Sequence, residues 1–161
     1  MNNRVVVTGI GIVSPVGLDK STTWKSLIKG ISGIDQITSF DPTGFETTIA
    51  AEVKDFDPAK SLGKKDARRM DRFAQLGAVA TLEALDQCGL EITHENNERV
   101  SVMVSSGIGG IITLSQQTEV LLSAGPSRVT PFLVPMMLPD MAAGQISMLL
   151  GAKGPNFITV S

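Results

Sequence analysis

The sequence predicts an α/β protein, because extended apolar segments alternate with segments of helical periodicity. Residues 4–13 are almost continuously apolar, which is typical of a strand that helices cover on both faces. Residues 64–87 have helical periodicity, and Gly89 follows where a helix would end. Residues 99–104 are predicted to form a second strand, so that strands and helices alternate along the chain.

The remaining elements of the first half are shorter. Ser21 is predicted to be the N-cap of a short helix that runs to Lys29 and stops at Gly30. Residues 31–60 are rich in Gly, Pro, Ser and Thr, and they favour loops with one short strand at residues 48–53.

In the second half, a glycine-rich loop leads into a helix predicted for residues 112–123. The segment that contains Pro131 and Pro135 is predicted to be irregular, and Pro139 favours the first position of a helix that ends at Leu150. Residues 156–161 are aromatic or β-branched in their centre, which predicts a buried strand.

Composition limits the class of protein. With 161 residues, of which 42% are hydrophobic and 19% charged, the chain can build one domain with a core and is not a disordered tail. The net charge of −2 gives no overall attraction to nucleic acid. No apolar run is long enough to span a bilayer, and residues 1–4 lead directly into the first strand, so that we expect no signal peptide.

The single cysteine and the single histidine do not suggest a catalytic pair. Cys88 excludes an internal disulfide, which favours a reducing cytoplasm, and it lies on the apolar side of the long helix. We therefore expect it to be a small buried hydrophobic residue. His94 lies in a polar loop and is expected to be solvated.

Two glycine-rich turns raise the question of a nucleotide site. Residues 9–11 lack the third glycine of a dinucleotide fingerprint, and residues 107–110 lack the Gly-Lys-Ser/Thr ending of a phosphate-binding loop. The alternative for residues 107–110 is a close approach of backbone segments, which glycine permits.

A cluster of basic residues is the main candidate for a binding surface. On one continuous helix its members fall within an arc of roughly 140°. A solvated helix face and a surface for an acidic partner both fit this pattern. The cluster consists of Lys64, Lys65, Arg68, Arg69 and Arg72.

Four segments, in order and at compatible spacing, make the whole chain resemble the N-terminal part of the elongating, KAS II-like β-ketoacyl-[acyl carrier protein] synthases. These segments are RVVVTGIGIVSPVG at 4–17, RMDRF at 69–73, SSGIGG at 105–110, and PFLVP at 131–135 followed by MAAG at 141–144.

The resemblance implies the N-terminal half of a thiolase-like layered fold, with residues 1–161 ending just before the turn that carries the nucleophilic cysteine. That cysteine and two histidines would lie beyond Ser161, so this chain alone is expected to be inactive. The complete enzyme would condense malonyl-carrier protein, with loss of CO₂, onto an enzyme-bound acyl group in type II fatty-acid synthesis. No metal or organic cofactor is implied.

The resemblance also implies binding residues and partners. The acyl carrier protein, an acidic partner, would dock on Lys65, Arg68, Arg69 and Arg128. Ile108 would line or gate the acyl pocket, and Leu133, beside Phe132, would approach the pocket of the opposite subunit in a homodimer. The methionines between residues 136 and 148 are expected to lie mostly in the core.

Two alternatives remain open from the sequence. A non-catalytic, ketosynthase-like subunit of a polyketide system, which controls chain length in a heterodimer, would keep the same fold. The polypeptide could also be one piece of a longer protein, and alone it would then expose apolar surface and tend to aggregate.

Overall fold

The computed structural model describes residues 4–160, in which short strands alternate with longer helices. The helices are α1 Lys20–Ile28, α2 Ala59–Ala67, α3 Arg72–Cys88, α4 Ile111–Ala124, α5 Leu133–Met137 and α6 Met141–Leu150. The strands are β1 Ile34–Gln36, β2 Ile49–Ala51, β3 Val102–Met103 and β4 Asn156–Phe157, and two 3-10 turns lie at Asn97–Arg99 and Pro126–Arg128. No helix in the described range combines the length and the apolar character needed to cross a bilayer.

The core lies where α3 packs against α6. Ala78 on α3 and Ala142 and Ile146 on α6 are fully buried. A Cβ atom placed on Gly77 would lie 3.6 Å from Cδ1 of Ile146, so this contact is already at van der Waals distance. Small side chains thus let the two helices approach closely and form the central layer.

A parallel strand pair packs against α6. Val102 pairs with Asn156 and Met103 with Phe157, and a further bridge joins Ser106 to Val160. The strand predicted for residues 99–104 is confirmed in a shorter form. The strand predicted for residues 156–161 is confirmed at Asn156–Phe157, and Ser161 lies outside the described residues. The predicted burial is wrong, because β3 is the one strand that pairs with β4 among the described residues, and Phe157 is 57% exposed.

An antiparallel hairpin forms from β1 and β2, with Asp35 opposite Ala50. The strand predicted at residues 48–53 is confirmed, whereas β1 was not predicted, because its three side chains carry little apolar pattern. Glu52 closes the loop above the hairpin. Its Oε1 accepts a hydrogen bond from Ser39 N at 3.0 Å, and its Oε2 accepts from Thr38 N at 2.9 Å and Thr38 Oγ1 at 2.8 Å.

The helix predicted for residues 64–87 is wrong as one element. α2 ends at Ala67 and α3 begins at Arg72, with Asp71 in an extended conformation at the N-cap position. The predicted end is confirmed, since Gly89 caps α3 in the left-handed region with φ of 64°. The break follows from tertiary hydrogen bonds to residues 67–71, which a local pattern does not contain.

The other helix boundaries agree with the sequence apart from details. The N-cap of α1 is Asp19 and not Ser21, because the Asp19 carboxylate accepts from Thr22 N in a capping box. α4 confirms the helix predicted for residues 112–123. The proline-containing segment includes the short helix α5, and α6 begins at Met141 rather than at Pro139.

The strand predicted for residues 4–13 is wrong in the described range. Val5 and Val7 are 93% and 81% exposed, and the segment lies against α3 instead of in a sheet. Ile10 N donates to Gln87 Oε1 at 2.6 Å, and Ile12 N donates to Glu83 Oε2 at 2.8 Å. These two side chains of α3 accept hydrogen bonds from backbone N–H groups that would otherwise donate to a neighbouring strand.

Gly11 provides a test of this packing. A Cβ atom there would overlap the carbonyl oxygen of Ala80, so we expect Gly11→Ala to destabilise the protein by about 1–3 kcal/mol. Gly144 is the matched control, because a Cβ there meets only Met141 at 4.0 Å inside α6, and Gly144→Ala should stabilise by roughly 0.5–1 kcal/mol. Urea unfolding followed by circular dichroism measures both. Equal effects of the two substitutions would contradict the packing.

Glu52 provides a pH test of the hairpin. Hydrogen bonds from Ser39 and Thr38 lower the pKa of Glu52 from its ordinary value of 4.5 to about 2. Because the folded pKa is the lower one, the stabilisation is present above pH 4.5 and is lost as the pH falls towards 2. We expect an NMR titration of the Glu52 carboxyl carbon to have its midpoint near 2. Glu52→Gln should remove the loss of stability that the wild type shows as the pH falls from 4.5 towards 2. A titration midpoint of Glu52 near 4.5 would show that these hydrogen bonds do not lower its pKa.

Candidate functional site

The break between α2 and α3, residues 68–71, organises the candidate site. The Gln75 side chain donates from Nε2 to the carbonyls of Ala67 at 2.8 Å and Met70 at 3.0 Å. These carbonyls lie where α2 has ended, so α3 satisfies them with one of its own side chains. The chain therefore turns between the helices in a fixed geometry, with Met70 and Asp71 buried and Arg68 and Arg69 exposed.

Four of the five predicted basic residues form an exposed surface at this break. Lys64 and Lys65 lie in the last turn of α2, directly after a kink at Gly63, where φ is 76°. Arg68 is the C-cap of α2, and its Nε donates to Lys64 O at 3.1 Å. The name basic surface is used below for Lys64, Lys65, Arg68 and Arg69.

Arg72 does not belong to the basic surface, and its prediction as a member was wrong. Its guanidinium donates to Val53 O at 2.7 Å and to Phe56 O at 3.3 Å. The same group lies 4.7 Å from the centre of the Phe56 ring. Since its donors are used to hold the segment that follows the hairpin, Arg72 has a structural role here.

Arg69 connects the basic surface to the segment that contains Leu133. The Arg69 guanidinium lies 5.2 Å from the centre of the Phe132 ring, within the range of a cation–π interaction. Leu133 is the next residue, the first of α5, and is half-buried. The structure thus brings together two predicted site regions that are more than sixty residues apart in sequence.

Arg128 lies on a different element. It ends the 3-10 turn Pro126–Arg128, which packs against α4, and its side chain is exposed. Gln117 of α4 supports the following residues, since its Oε1 accepts from Thr130 N at 2.8 Å. The described contacts do not join Arg128 to the basic surface.

A cleft of about 370 Å³ opens beside the basic surface. Arg69 and Phe132 line it together with the buried Met70 and Gln145. Met148 also lines it and is 70% exposed, so its predicted place in the core is wrong. Gln145 is 7% exposed, and its Nε2 donates to Arg69 O at 3.1 Å and Pro135 O at 3.0 Å. Its Oε1 has no hydrogen-bond partner among the described residues. The cleft was not predicted, because its walls come from three separate segments.

The glycine-rich loop holds Ile108 on a rigid support. Gly109 N donates to Ser106 Oγ at 2.9 Å, and Gly110 N donates to Met137 O at 3.0 Å. A Cβ on Gly110 would overlap the Met136 carbonyl, so the close backbone approach expected for this loop is confirmed. Ile108 itself is 68% exposed.

The same contacts argue against a phosphate site in this loop. The amino end of α4 already carries a carboxylate, since Asp71 Oδ2 accepts from Thr113 N at 2.7 Å. A bound phosphate would need these N–H groups free and would meet the charge of Asp71. The geometry therefore favours a close approach of backbone segments at this loop over a phosphate site.

Cys88 and His94 are not arranged as a catalytic pair. Cys88, the last residue of α3, is half-buried, and its Sγ contacts Leu85 O at 3.4 Å. Its burial is therefore less complete than expected. His94 lies in an exposed turn, as predicted. Within residues 4–160 no group of three or more His, Cys, Asp or Glu side chains is placed to hold a metal ion.

Comparison with known proteins gives consistent matches over the full chain. The family described as "Beta-ketoacyl synthase, N-terminal domain" matches residues 2–161. The chain is 48% identical over 160 residues to 3-oxoacyl-[acyl-carrier-protein] synthase 2 of Staphylococcus aureus (strain COL), covering 99% of this chain and 39% of that protein. It is 49% identical over 153 residues to the protein of the same name from Vibrio harveyi, covering 95% of this chain and 37% of that protein. The chain thus spans about two-fifths of the length of these relatives.

Solved structures match with similar coverage. The ishigamide ketosynthase/chain length factor has a TM-score of 0.83 at 28% identity, over 96% of this chain and 39% of that one. A type II PKS acyl-carrier protein in complex with its ketosynthase matches with a TM-score of 0.78 at 28% identity, over 98% of this chain and 42% of that one. A β-ketoacyl synthase from Burkholderia phymatum STM815 matches with a TM-score of 0.74 at 22% identity, over 96% of this chain and 38% of that one. The predicted fold class is confirmed as the N-terminal half of a thiolase-like α/β fold.

Proposed function

The chain belongs to the β-ketoacyl synthase family, whose N-terminal domain matches residues 2–161, and we propose that it is part of an elongating synthase of type II fatty-acid synthesis. The observation that carries this proposal is the identity of 48% to a 3-oxoacyl-[acyl-carrier-protein] synthase 2 across 99% of the chain. The relatives extend well beyond this segment, so the proposal concerns the longer protein.

The proposed reaction joins two thioesters. An acyl group is transferred from its carrier to a cysteine, malonyl-carrier protein loses CO₂, and the resulting carbanion attacks the acyl carbonyl. A carbon–carbon bond forms while the cysteine thiolate leaves, and the chain grows by two carbons. By family resemblance the cysteine and two histidines follow Ser161, so residues 1–161 are proposed to supply scaffold and binding surface and to be inactive alone. No cofactor is needed in this scheme.

Lys65, Arg68, Arg69 and Arg128 are proposed to bind the carrier protein. In support, all four side chains are exposed, and those on the basic surface are fixed to a rigid helix break. The chain as a whole has a net charge of −2, so this positive surface is a local feature that orients an acidic partner. Because acyl groups arrive on such a carrier, docking of the carrier protein beside the cleft would bring the acyl group close to the cleft.

Ile108 and Leu133 are proposed to contact the acyl chain, Leu133 from the opposite subunit of a homodimer. Within one subunit, the Gly110–Met137 hydrogen bond holds the loop of Ile108 next to α5, which begins at Leu133. Both segments also present apolar side chains to solvent, including Ile108 and Val134. We further propose that the enzyme acts in the cytoplasm, in keeping with the single cysteine in residues 1–161.

A non-catalytic chain-length subunit is the second candidate. The similarity to a ketosynthase/chain length factor structure, at a TM-score of 0.83, favours keeping it. Its 28% identity is lower than the 48% to the fatty-acid synthases, which places it second.

The complete protein, supplied with acyl- and malonyl-carrier protein, tests the proposal. We expect release of one CO₂ for each β-ketoacyl product that is two carbons longer. A protein that carries the nucleophilic cysteine and forms no such product would overturn the synthase assignment. If another residue replaces that cysteine, the chain-length subunit is the function instead.

Charge reversal tests the proposed carrier site. In the complete enzyme we expect Arg68→Glu to weaken carrier-protein binding by roughly ten-fold at low salt and by less at high salt, because screening reduces the interaction. Lys25→Glu on α1, an equal charge change on another exposed side chain, is the control and should leave binding within about two-fold. Titration calorimetry at two ionic strengths measures both. An unchanged dissociation constant for Arg68→Glu at low salt would exclude this site.

A further inference from the structure

Arg69 differs from the other members of the basic surface because its guanidinium lies over an aromatic ring. The distance from the guanidinium carbon to the centre of the Phe132 ring is 5.2 Å. The backbone of Arg69 is also held, since Gln145 Nε2 donates to Arg69 O at 3.1 Å. An exposed arginine otherwise samples many rotamers, so these two contacts restrict where the positive charge lies.

The N–H donors of Arg69 are unused within the described residues, and Arg72 shows the contrast. The Arg72 guanidinium also lies over a ring, 4.7 Å from the centre of Phe56, but its N–H groups donate to the Val53 and Phe56 carbonyls. The Arg69 guanidinium makes no hydrogen bond or salt bridge to another residue of the range 4–160. A ring under a guanidinium leaves the donors at its edge available, so Arg69 can bind a carboxylate with two hydrogen bonds.

Asp66 is a carboxylate that competes for Arg69. The two residues lie one turn apart, since Arg69 N donates to Asp66 O at 3.0 Å, and both line the cleft beside the basic surface. Side chains at this spacing are close enough to form an ion pair. They do not form one here, and the salt bridge found in the described part of the chain joins Lys54 to Asp35. The position over Phe132 therefore keeps Arg69 unpaired with an acidic neighbour in its own turn.

The Phe132 ring stands on a fixed backbone at the surface. Phe132 is the N-cap of α5, and Met136 N donates to Phe132 O at 3.0 Å. Phe132 N donates to Thr130 Oγ1 at 3.2 Å, which holds the residue from the other side. Phe132 is 40% exposed, so a partner protein can reach the guanidinium that lies over the ring.

We propose that Phe132 is a positioning residue of the carrier-protein site, which holds the Arg69 guanidinium away from Asp66 and ready to bind a carboxylate of the carrier protein. This inference rests on the carrier site proposed above. No part of the chain has to move when the carrier docks. The affinity increases because the Arg69 side chain is already ordered and loses less conformational entropy on binding.

Calorimetric titration of the complete enzyme with carrier protein that lacks its pantetheine arm tests the proposal, because neither the arm nor an acyl group then contributes to binding. We expect Phe132→Leu to weaken binding by about three- to five-fold at low salt, since Arg69 is released from the ring. Phe132→Tyr keeps an aromatic face and should bind within about two-fold of the wild type. Unchanged binding in Phe132→Leu, or an equal loss in both variants, would overturn the role of the ring.

Phe56→Leu is the matched control, because it removes the same kind of ring from Arg72, whose donors are already used within the protein. Its carrier binding should stay within about two-fold of the wild type. A loss as large as that of Phe132→Leu would show a general effect of the substitution and overturn the proposal. If Phe132→Leu does not fold, as judged by thermal unfolding, Phe132→Met replaces it with the same expected result.

Two double-mutant cycles separate the ring from the carrier site itself. Arg69→Ala should weaken binding by about ten-fold, and Phe132→Leu should then have no further effect. Asp66→Asn should strengthen binding more in the Phe132→Leu background than in the wild type, because it removes the carboxylate that a released Arg69 would pair with. Unchanged binding in Arg69→Ala would overturn the proposed carrier site together with this inference. Weakened binding in Arg69→Ala with additive effects in either cycle would overturn the inference alone.

Discussion

The close packing of α3 on α6 is the constraint on which the other features depend. Ala78, Ala142 and Ile146 are fully buried at this contact, and Gly77 has room for little more than a methyl group. With the two helices at this distance, the Gln145 side chain of α6 reaches the Arg69 and Pro135 carbonyls. A bulkier side chain at the contact would separate the helices and remove these bonds, because packed cores relax only partly. The small residues of the core therefore determine the geometry of the surface.

Local sequence signals were sufficient where an element is defined by its own residues. The end of α3 was predicted because glycine at position 89 is the residue type that a left-handed cap requires, and the bounds of α4 followed from its periodicity. The break at residues 68–71 was not predicted, because this segment has no proline or glycine. It is held by Gln75 within α3 and by Thr113 and Gln145 from distant parts of the chain. Periodicity over one window contains none of this information.

The same distinction applies to the candidate site. Lys65, Arg68 and Arg69 were predicted to be exposed because charged residues on one face of a helix usually are. Arg72 follows the same spacing, but the carbonyls of Val53 and Phe56 lie within its reach, so it turns inward. Residues 4–13 have the composition of a buried strand, and composition does not tell whether a neighbouring strand is available. The hydrogen bonds of Gln145 to the Arg69 and Pro135 carbonyls, and of Asp71 to Thr113 N, join distant segments, so the sequence alone did not indicate these two residues.

The parallel pairing of β3 with β4 has a consequence for how the chain folds as it is made. The Ser105 and Thr159 hydroxyls that meet across this pair at 2.7 Å are 54 residues apart. A ribosome must therefore complete α4, α5 and α6 before β3 has its neighbour, and contacts of such separation close slowly. Until then the edge of β3 that pairs with β4 has free backbone N–H and C=O groups, which other nascent chains can contact.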